Sequence, residues 1–221
     1  MKLLLTSGGI SNSGIRSALI EMLDKPISQC RALCISTASY AHPMAGPEAA
    51  WRFISGREET PMTNLGWKSV GVLELTALPS LGEDLWHPWV QNTDVFLVNG
   101  GDPMFLSYWM QKSGLAGLLP TLPAVWVGLS AGSMIMTPRI GREFIQWSPP
   151  NDSDETLGFV DFSIFPHLNH ESLPWNTMAN AERWAANIPG PAYAIDDQTA
   201  FRVIDGVVEI ITEGHWELLH S

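Results

Sequence analysis

The chain has 221 residues, of which 45% are hydrophobic and 16% are charged, a composition typical of one folded domain and not of a disordered chain. Its formal net charge of -11 disfavours nucleic acid and anionic membranes as partners. No apolar run approaches the roughly 20 residues of a membrane span, and we expect a cytoplasmic protein without a signal peptide. From its length we expect one domain, residues 1–221.

Short apolar runs alternate with helical patterns along the first part of the chain. We predict strands at 2–6, 32–37, 70–75, 94–99 and 124–127, and helices at 11–23, 47–54 and 103–111. This alternation, with glycine-containing loops between the elements, predicts a parallel sheet with helices on both faces. Ligands bind such sheets at the carboxyl ends of the strands.

The second part of the chain is less regular. Residues 139–161 are polar and predict an extended loop or a hairpin. We predict further strands at 162–165, 192–195, 200–204 and 207–211, and a helix at 174–188. Asp205-Gly206 lies between the last two strands and is a strong signal for a C-terminal β-hairpin.

The segment Gly128-Leu-Ser-Ala-Gly132 follows an apolar run and precedes residues that suit a helix. This G-x-S-x-G pattern is typical of a nucleophile elbow, in which a strained turn exposes a serine at the end of a strand. The N–H of Ala131 at the helix start could stabilise an oxyanion. Ser130 is therefore a candidate nucleophile, although a glycine-rich turn can also hold a serine with no chemical role.

A serine nucleophile needs a base, and the base needs an acid that orients it. His167 and His170 follow one predicted strand, and Asp196 and Asp197 follow another. In a parallel sheet this last strand end would lie at the same edge as Ser130. The other histidines fall in predicted surface loops or near the C-terminus: His42, His87, His215 and His220.

Four short motifs occur in one order over most of the chain: Asn99-Gly-Gly-Asp102, the elbow at 128–132, Phe165-Pro-His167 and Ile195-Asp-Asp-Gln-Thr-Ala200. In this order and spacing they resemble the peptidase E and cyanophycinase family of serine peptidases. The resemblance implies a single-domain α/β fold of the flavodoxin-like or class I glutamine amidotransferase-like type. It also implies a triad that runs serine, histidine, acid along the chain.

The resemblance implies specific roles for the candidate residues. Ser130 would be the nucleophile, and His167 the general base and later the general acid. His167 is favoured over His170 because it directly follows the proline of the motif. The acid aligns with Asp197, where the family usually has glutamate, and Asp196 is the alternative.

The resemblance also implies how the substrate is bound. The oxyanion hole would consist of backbone N–H groups from Gly100 or Gly101 and from Ala131. Peptidase E enzymes cleave dipeptides that begin with aspartate, whose carboxylate is bound by an arginine downstream of the histidine. We expect the substrate-binding residues to be Arg183, Asp102 and His170, with Arg139 and Arg142 as alternative carboxylate binders.

We therefore expect a serine peptidase acting on small peptides, with dipeptides that begin with aspartate as candidate substrates. The alternatives are an esterase or amidase on a related scaffold and a non-catalytic, small-molecule-binding member of the family. An α/β-hydrolase would place its acid before the histidine, and an amidotransferase would use cysteine in the elbow. We expect no metal, cofactor, nucleic acid or membrane partner, and the tryptophan-rich segments suggest a homodimer.

Overall fold

The strands of the chain form two separate sheets. In chain order they are β1 (Lys2–Thr6), β2 (Arg31–Ile35), β3 (Ser69–Val72), β4 (Val95–Val98), β5 (Val125–Leu129), β6 (Ser163–Phe165), β7 (Ala192–Ile195), β8 (Thr199–Ile204), β9 (Val207–Thr212) and β10 (Trp216–His220). A seven-stranded central sheet has the order β3-β2-β4-β5-β1-β8-β9, and a three-stranded small sheet has the order β10-β7-β6. The computed structural model describes residues 1–60 and 62–220.

The helices cover both faces of the central sheet, except the last one, which packs against the small sheet. They are α1 (Ser13–Met22), α2 (Gly46–Ile54), α3 (Glu83–Gln91), α4 (Pro103–Lys112), α5 (Leu115–Leu118), α6 (Ala131–Met134) and α7 (Met178–Ala185). Side chains of β1 alternate between two hydrophobic cores. Leu4 packs with Ile15 of α1 and Phe53 of α2, whereas Leu3 packs with Trp86 of α3 and Leu106 of α4. No helix in the described part of the chain is long and apolar enough to cross a membrane.

The pairing of the strands confirms the predicted fold class. Strands β3, β2, β4, β5 and β1 pair in parallel, and β8 joins β1 in antiparallel orientation. Buried apolar runs are expected here because helices cover both faces of a parallel sheet. Strands β8 and β9 form the predicted hairpin, and Asp205 and Gly206 adopt φ angles of 49° and 83° in its turn. The result is a single mixed α/β domain.

The small sheet corrects one expectation about the site. The predicted strand 192–195 was expected to lie in the parallel sheet of the elbow strand, but it forms β7 of the small sheet, together with the predicted strand 162–165 as β6. They pair with each other, and β7 also pairs with β10, which was not predicted. The sequence of β10 is Trp216-Glu-Leu-Leu-His220, in which apolar and polar residues do not alternate regularly, so it carries no clear strand pattern.

Smaller differences have local causes. The helix predicted at 174–188 begins at Met178, because the Thr177 side chain caps it by accepting the N–H of Asn180. Helix α3 was not predicted, and it carries Pro88 in its interior. Residues 139–161 are irregular, with a single isolated bridge between positions 139 and 155.

Candidate active site

The elbow holds Ser130 in a strained conformation between β5 and α6. Its φ of 51° and ψ of -112° fall in a region that residues other than glycine rarely adopt. A Cβ atom at Gly128 would lie 2.4 Å from the carbonyl oxygen of Gly132, and one at Gly132 would lie 2.6 Å from that of Val98. Only glycine at both positions lets strand, helix and β4 approach so closely, and this packing holds the serine at the strand end.

His167 and Asp197 form a partly buried pair. His167 follows β6, and its Nδ1 lies 2.7 Å from Oδ1 of Asp197. Burial would raise the pKa of Asp197, but the hydrogen bond and charge of His167, with a hydrogen bond from Ser7, outweigh it and lower the pKa. The carboxylate is therefore ionised and accepts the Nδ1 proton, which leaves Nε2 as the ring nitrogen that can act as a base.

Asp196 has a different position from Asp197. Its Oδ1 accepts hydrogen bonds from the N–H of Gln198 at 3.0 Å and the hydroxyl of Thr199 at 2.8 Å. Its Oδ2 accepts the N–H of His215 at 2.6 Å. The Asp196 carboxylate thus stabilises the turn between β7 and β8. Of the two adjacent acids, only Asp197 contacts the candidate histidine.

A cavity of about 980 Å³ connects the elbow to the histidine. Ser130 and His167 both line it, together with Gly100 and Gly101 from the loop after β4. Its wall also carries three charged side chains, from Arg52, Glu143 and Arg183. Loops of the central sheet and the segment after β6 therefore line one cavity.

The loop after β4 offers a backbone donor beside Ser130. The N–H of Gly100 already donates to the side-chain oxygen of Asn99 at 2.8 Å. The N–H groups of Gly101 and Ala131, in contrast, have no hydrogen-bond acceptor among the described residues. Gly101 has a φ of 137°, and a Cβ there would lie 2.3 Å from the carbonyl of Ala38. Of the two glycines considered from the sequence, Gly101 has the available donor.

Arg183 is the predicted substrate-binding residue that lines the cavity. It lies on α7, its guanidinium contacts the side-chain oxygen of Asn180, and it forms no ion pair with any described residue. Arg52 lines the same cavity but is engaged with Glu48 at 3.1 Å and Glu58 at 3.7 Å.

The alternative arginines are placed elsewhere. Arg139 pairs with Asp154 and with Glu155, each at 2.7 Å. Arg142 pairs with Asp152 at 3.0 Å. Neither guanidinium lines the cavity that contains Ser130, so these two side chains do not compete with Arg183 as carboxylate binders.

Asp102 does not fit the expected role in substrate binding. It is fully buried and caps α4 by accepting the N–H of Phe105 at 2.7 Å. Its other oxygen accepts the N–H groups of Gln146 at 3.0 Å and Trp147 at 2.6 Å. With both oxygens occupied by backbone donors, this aspartate anchors the loop that follows the elbow helix.

His170 also lies outside the main cavity. It lines a second cavity of about 490 Å³, which Asp197 also lines. Its Nε2 lies 3.5 Å from Oδ2 of Asp197, whereas His167 approaches Oδ1 of the same carboxylate. His170 thus contacts the candidate acid, and its role in substrate binding stays a prediction.

The sequence of the chain matches the model of one known protein family. The model of peptidase family S51 matches residues 3–211. The chain belongs to peptidase family S51. This membership confirms the predicted resemblance to the peptidase E family, and it supports serine-type peptidase activity in general. No curated protein matches the chain by sequence.

Two solved structures share the S51 fold. A structure assigned to peptidase E from Listeria monocytogenes EGD-e is 18% identical, with a TM-score of 0.66 over 96% of this chain and 98% of that one. A peptidase from an acI-B1 Actinobacterium is 17% identical, with a TM-score of 0.70 over 99% of this chain and 90% of that one. At these identities the similarity shows the fold alone.

Two residues of the candidate site were not identified from the sequence. His42, predicted in a surface loop, lines the main cavity, and burial lowers its pKa although Asp102 acts in the opposite direction. Ser7 hydrogen bonds to both His167 and Asp197. Ser7 directly follows β1, which pairs with the elbow strand, so the strand order contains the signal that would have found it.

Proposed function

We propose that this S51 chain hydrolyses small peptides through a triad of Ser130, His167 and Asp197. One observation carries the proposal: His167, hydrogen bonded to Asp197, lines the same cavity as Ser130, whose backbone is strained. Nucleophile, base and orienting acid are the three parts that acyl transfer by a serine requires.

The proposed reaction proceeds through an acyl-enzyme. Oγ of Ser130 attacks the peptide carbonyl carbon while Nε2 of His167 takes its proton. The oxyanion accepts hydrogen bonds from the N–H groups of Gly101 and Ala131, each worth about 3 kcal/mol of barrier in such sites. The carbon–nitrogen bond then breaks as His167 returns the proton to the leaving amine. Water then attacks the ester carbonyl carbon with His167 again acting as base. The bond to Oγ breaks, which releases the carboxylic acid and free Ser130.

The proposed substrates are dipeptides with an N-terminal aspartate. Arg183 supports this choice, because it is the cavity arginine without an acidic partner among the described residues. A guanidinium can bind a carboxylate through two parallel hydrogen bonds. Arg52 is less suited because two glutamates already occupy it.

The test is hydrolysis of Asp-Leu, Asp-Ala, Glu-Leu and Ala-Leu by the wild type and by Ser130→Ala. We expect cleavage of the Asp-Xaa peptides, and a loss of about 10⁴-fold or more in the variant. Cleavage of Ala-Leu at an equal rate would reject the aspartyl preference but retain the mechanism. Full activity in Ser130→Ala would reject the triad.

A matched pair of arginine variants tests the binding role separately. Arg183→Gln should lower kcat/KM for Asp-Leu about 10- to 100-fold, because a charge-assisted hydrogen bond contributes roughly 1.5–3 kcal/mol. Its effect on Ala-Leu should be small. Arg52→Gln, in the same cavity, should leave the ratio of Asp-Leu to Ala-Leu cleavage unchanged. An equal loss of specificity in both variants would contradict the assignment to Arg183.

A further inference from the structure

The residue that follows β1 lies between the candidate base and its acid. Ser7 is fully buried, and its hydroxyl donates to Oδ1 of Asp197 at 2.6 Å. The same oxygen of Ser7 accepts the backbone N–H of His167 at 2.7 Å. Because Nδ1 of His167 also binds Oδ1 of Asp197, the three residues form a closed ring of hydrogen bonds.

Ser7 also contacts the nucleophile. Its carbonyl oxygen accepts the N–H of Ser130 at 3.1 Å, a donor shared with the carbonyl of Thr6. Its own N–H donates to the carbonyl of Thr199, at the start of β8. One residue directly after a strand of the central sheet therefore hydrogen bonds to all three members of the proposed triad, two of which come from segments outside that sheet.

The next residue explains how Asp197 reaches this position. A Cβ atom at Gly8 would lie 2.7 Å from Cβ and 2.8 Å from Cγ of Asp197, so only glycine lets the acid pack against the loop after β1. An aspartate has one methylene fewer than a glutamate and must approach the histidine more closely. Gly8 leaves room for the aspartate side chain, and Ser7 hydrogen bonds to its carboxylate.

We infer that Ser7 is a positioning residue, which holds the Asp197 carboxylate and the His167 backbone in register with Ser130. The inference rests on the proposed triad. The hydroxyl fixes which oxygen of Asp197 faces Nδ1 and fixes the start of the segment after β6. Without it, the carboxylate retains its charge but loses a fixed orientation, so the ring of His167 samples unproductive positions.

The first experiment compares Ser7→Ala and Ser7→Cys with the wild type. Ser7→Ala should lower kcat about 10- to 100-fold, with KM changed less than about two-fold, since a hydrogen bond to a charged group is removed. Ser7→Cys retains a weak donor and should give an intermediate loss. Ser163→Ala is the control, because Ser163 is equally buried and donates to the carbonyl of Arg139 at 2.8 Å.

A second readout does not depend on turnover. The proton on Nδ1 of His167 can be followed by NMR in histidine-labelled protein, and its exchange with water reports how firmly the pair is held. It should exchange faster in Ser7→Ala than in the wild type and Ser163→Ala. If the wild type cleaves no peptide, the proposed function fails, and this signal still tests Ser7.

The outcomes separate positioning from mere stability. Lower kcat with faster exchange in folded Ser7→Ala, and a graded effect in Ser7→Cys, would support the inference. Unchanged kcat and exchange would overturn it. A kcat loss with unchanged exchange, or an equal loss in Ser163→Ala, would overturn it too, because a general weakening of the core would then be responsible. If Ser7→Ala does not fold, Ser7→Cys decides by the same criteria.

Discussion

The two halves of the candidate site are held by different forces. On the central sheet, Ser130 is fixed by backbone packing, with glycines at 128 and 132 closing the elbow to distances that admit no side chain. Beside the small sheet, His167 and Asp197 are fixed by side-chain hydrogen bonds. The first half should therefore be sensitive to added volume, and the second to lost donors and charge.

Removing the charge of Asp197 should have the largest effect on the hydrogen-bonded half. In Asp197→Asn the side chain keeps its shape but can present an NH₂ group to Nδ1, which favours the wrong histidine tautomer. We expect kcat to fall about 10⁴-fold, measured by dipeptide hydrolysis. Retention of more than about a tenth of the activity would show that another group orients His167.

Asp196→Asn is the matched control for this change. Asp196 accepts three hydrogen bonds from the connection between β7 and β8 and from the N–H before β10. Its loss should lower the free energy of unfolding by about 1–3 kcal/mol and leave kcat within a few-fold. A large kcat loss in this variant, with stability retained, would reverse the two assignments.

The pH dependence of stability should report the hydrogen-bonded state of the Asp197 carboxylate. The pKa of Asp197 is lowered from about 3.8 in the folded state, because His167 and Ser7 outweigh the effect of burial. Its contribution is therefore fully present above its ordinary pKa and is lost as pH falls through the lowered value. Denaturant unfolding at several pH values should show Asp197→Asn losing this dependence.

Adding one methyl group should disrupt the packed half. In Gly128→Ala the new Cβ would lie 2.4 Å from the carbonyl oxygen of Gly132, a backbone atom that cannot move alone. We expect the free energy of unfolding to fall by about 3 kcal/mol or more, and labelling of Ser130 by a serine-directed probe to decrease. Gly117→Ala is the control: no heavy atom lies within 4 Å of the added group, and α5 should gain about 0.5–1 kcal/mol.

The same contrast explains how much could be predicted from the sequence. The elbow is a local pattern, so five adjacent residues indicated the strand, the turn and the serine, and the parallel sheet followed from similar runs. The contact of Ser7 with Asp197 spans 190 positions and leaves no local pattern. The small sheet was not recognised as separate because strands 162–165 and 192–195 carry no local pattern showing that they pair with each other and with the unpredicted β10. The residues alone do not separate Asp196 from Asp197, because both follow the same strand and only side-chain direction distinguishes them; the family resemblance favoured Asp197.

The smallest expected effect tests whether the elbow stores strain. Ser130 has a φ of 51° and a ψ of -112°, a conformation that costs about 1–3 kcal/mol for a residue with a Cβ. Ser130→Gly should therefore be more stable than Ser130→Ala by about 1 kcal/mol, after the greater chain entropy of glycine is included. Urea unfolding of the two inactive variants measures the difference directly.

A helical serine gives the control with the opposite sign. Ser17 is exposed within α1, where glycine is disfavoured and alanine is preferred. Ser17→Ala should be more stable than Ser17→Gly by about 1 kcal/mol, the reverse of the order at Ser130. If Ser130→Ala were instead the more stable of its pair, the elbow would hold no strain, and the packing at Gly128 and Gly132 would suffice to hold the serine.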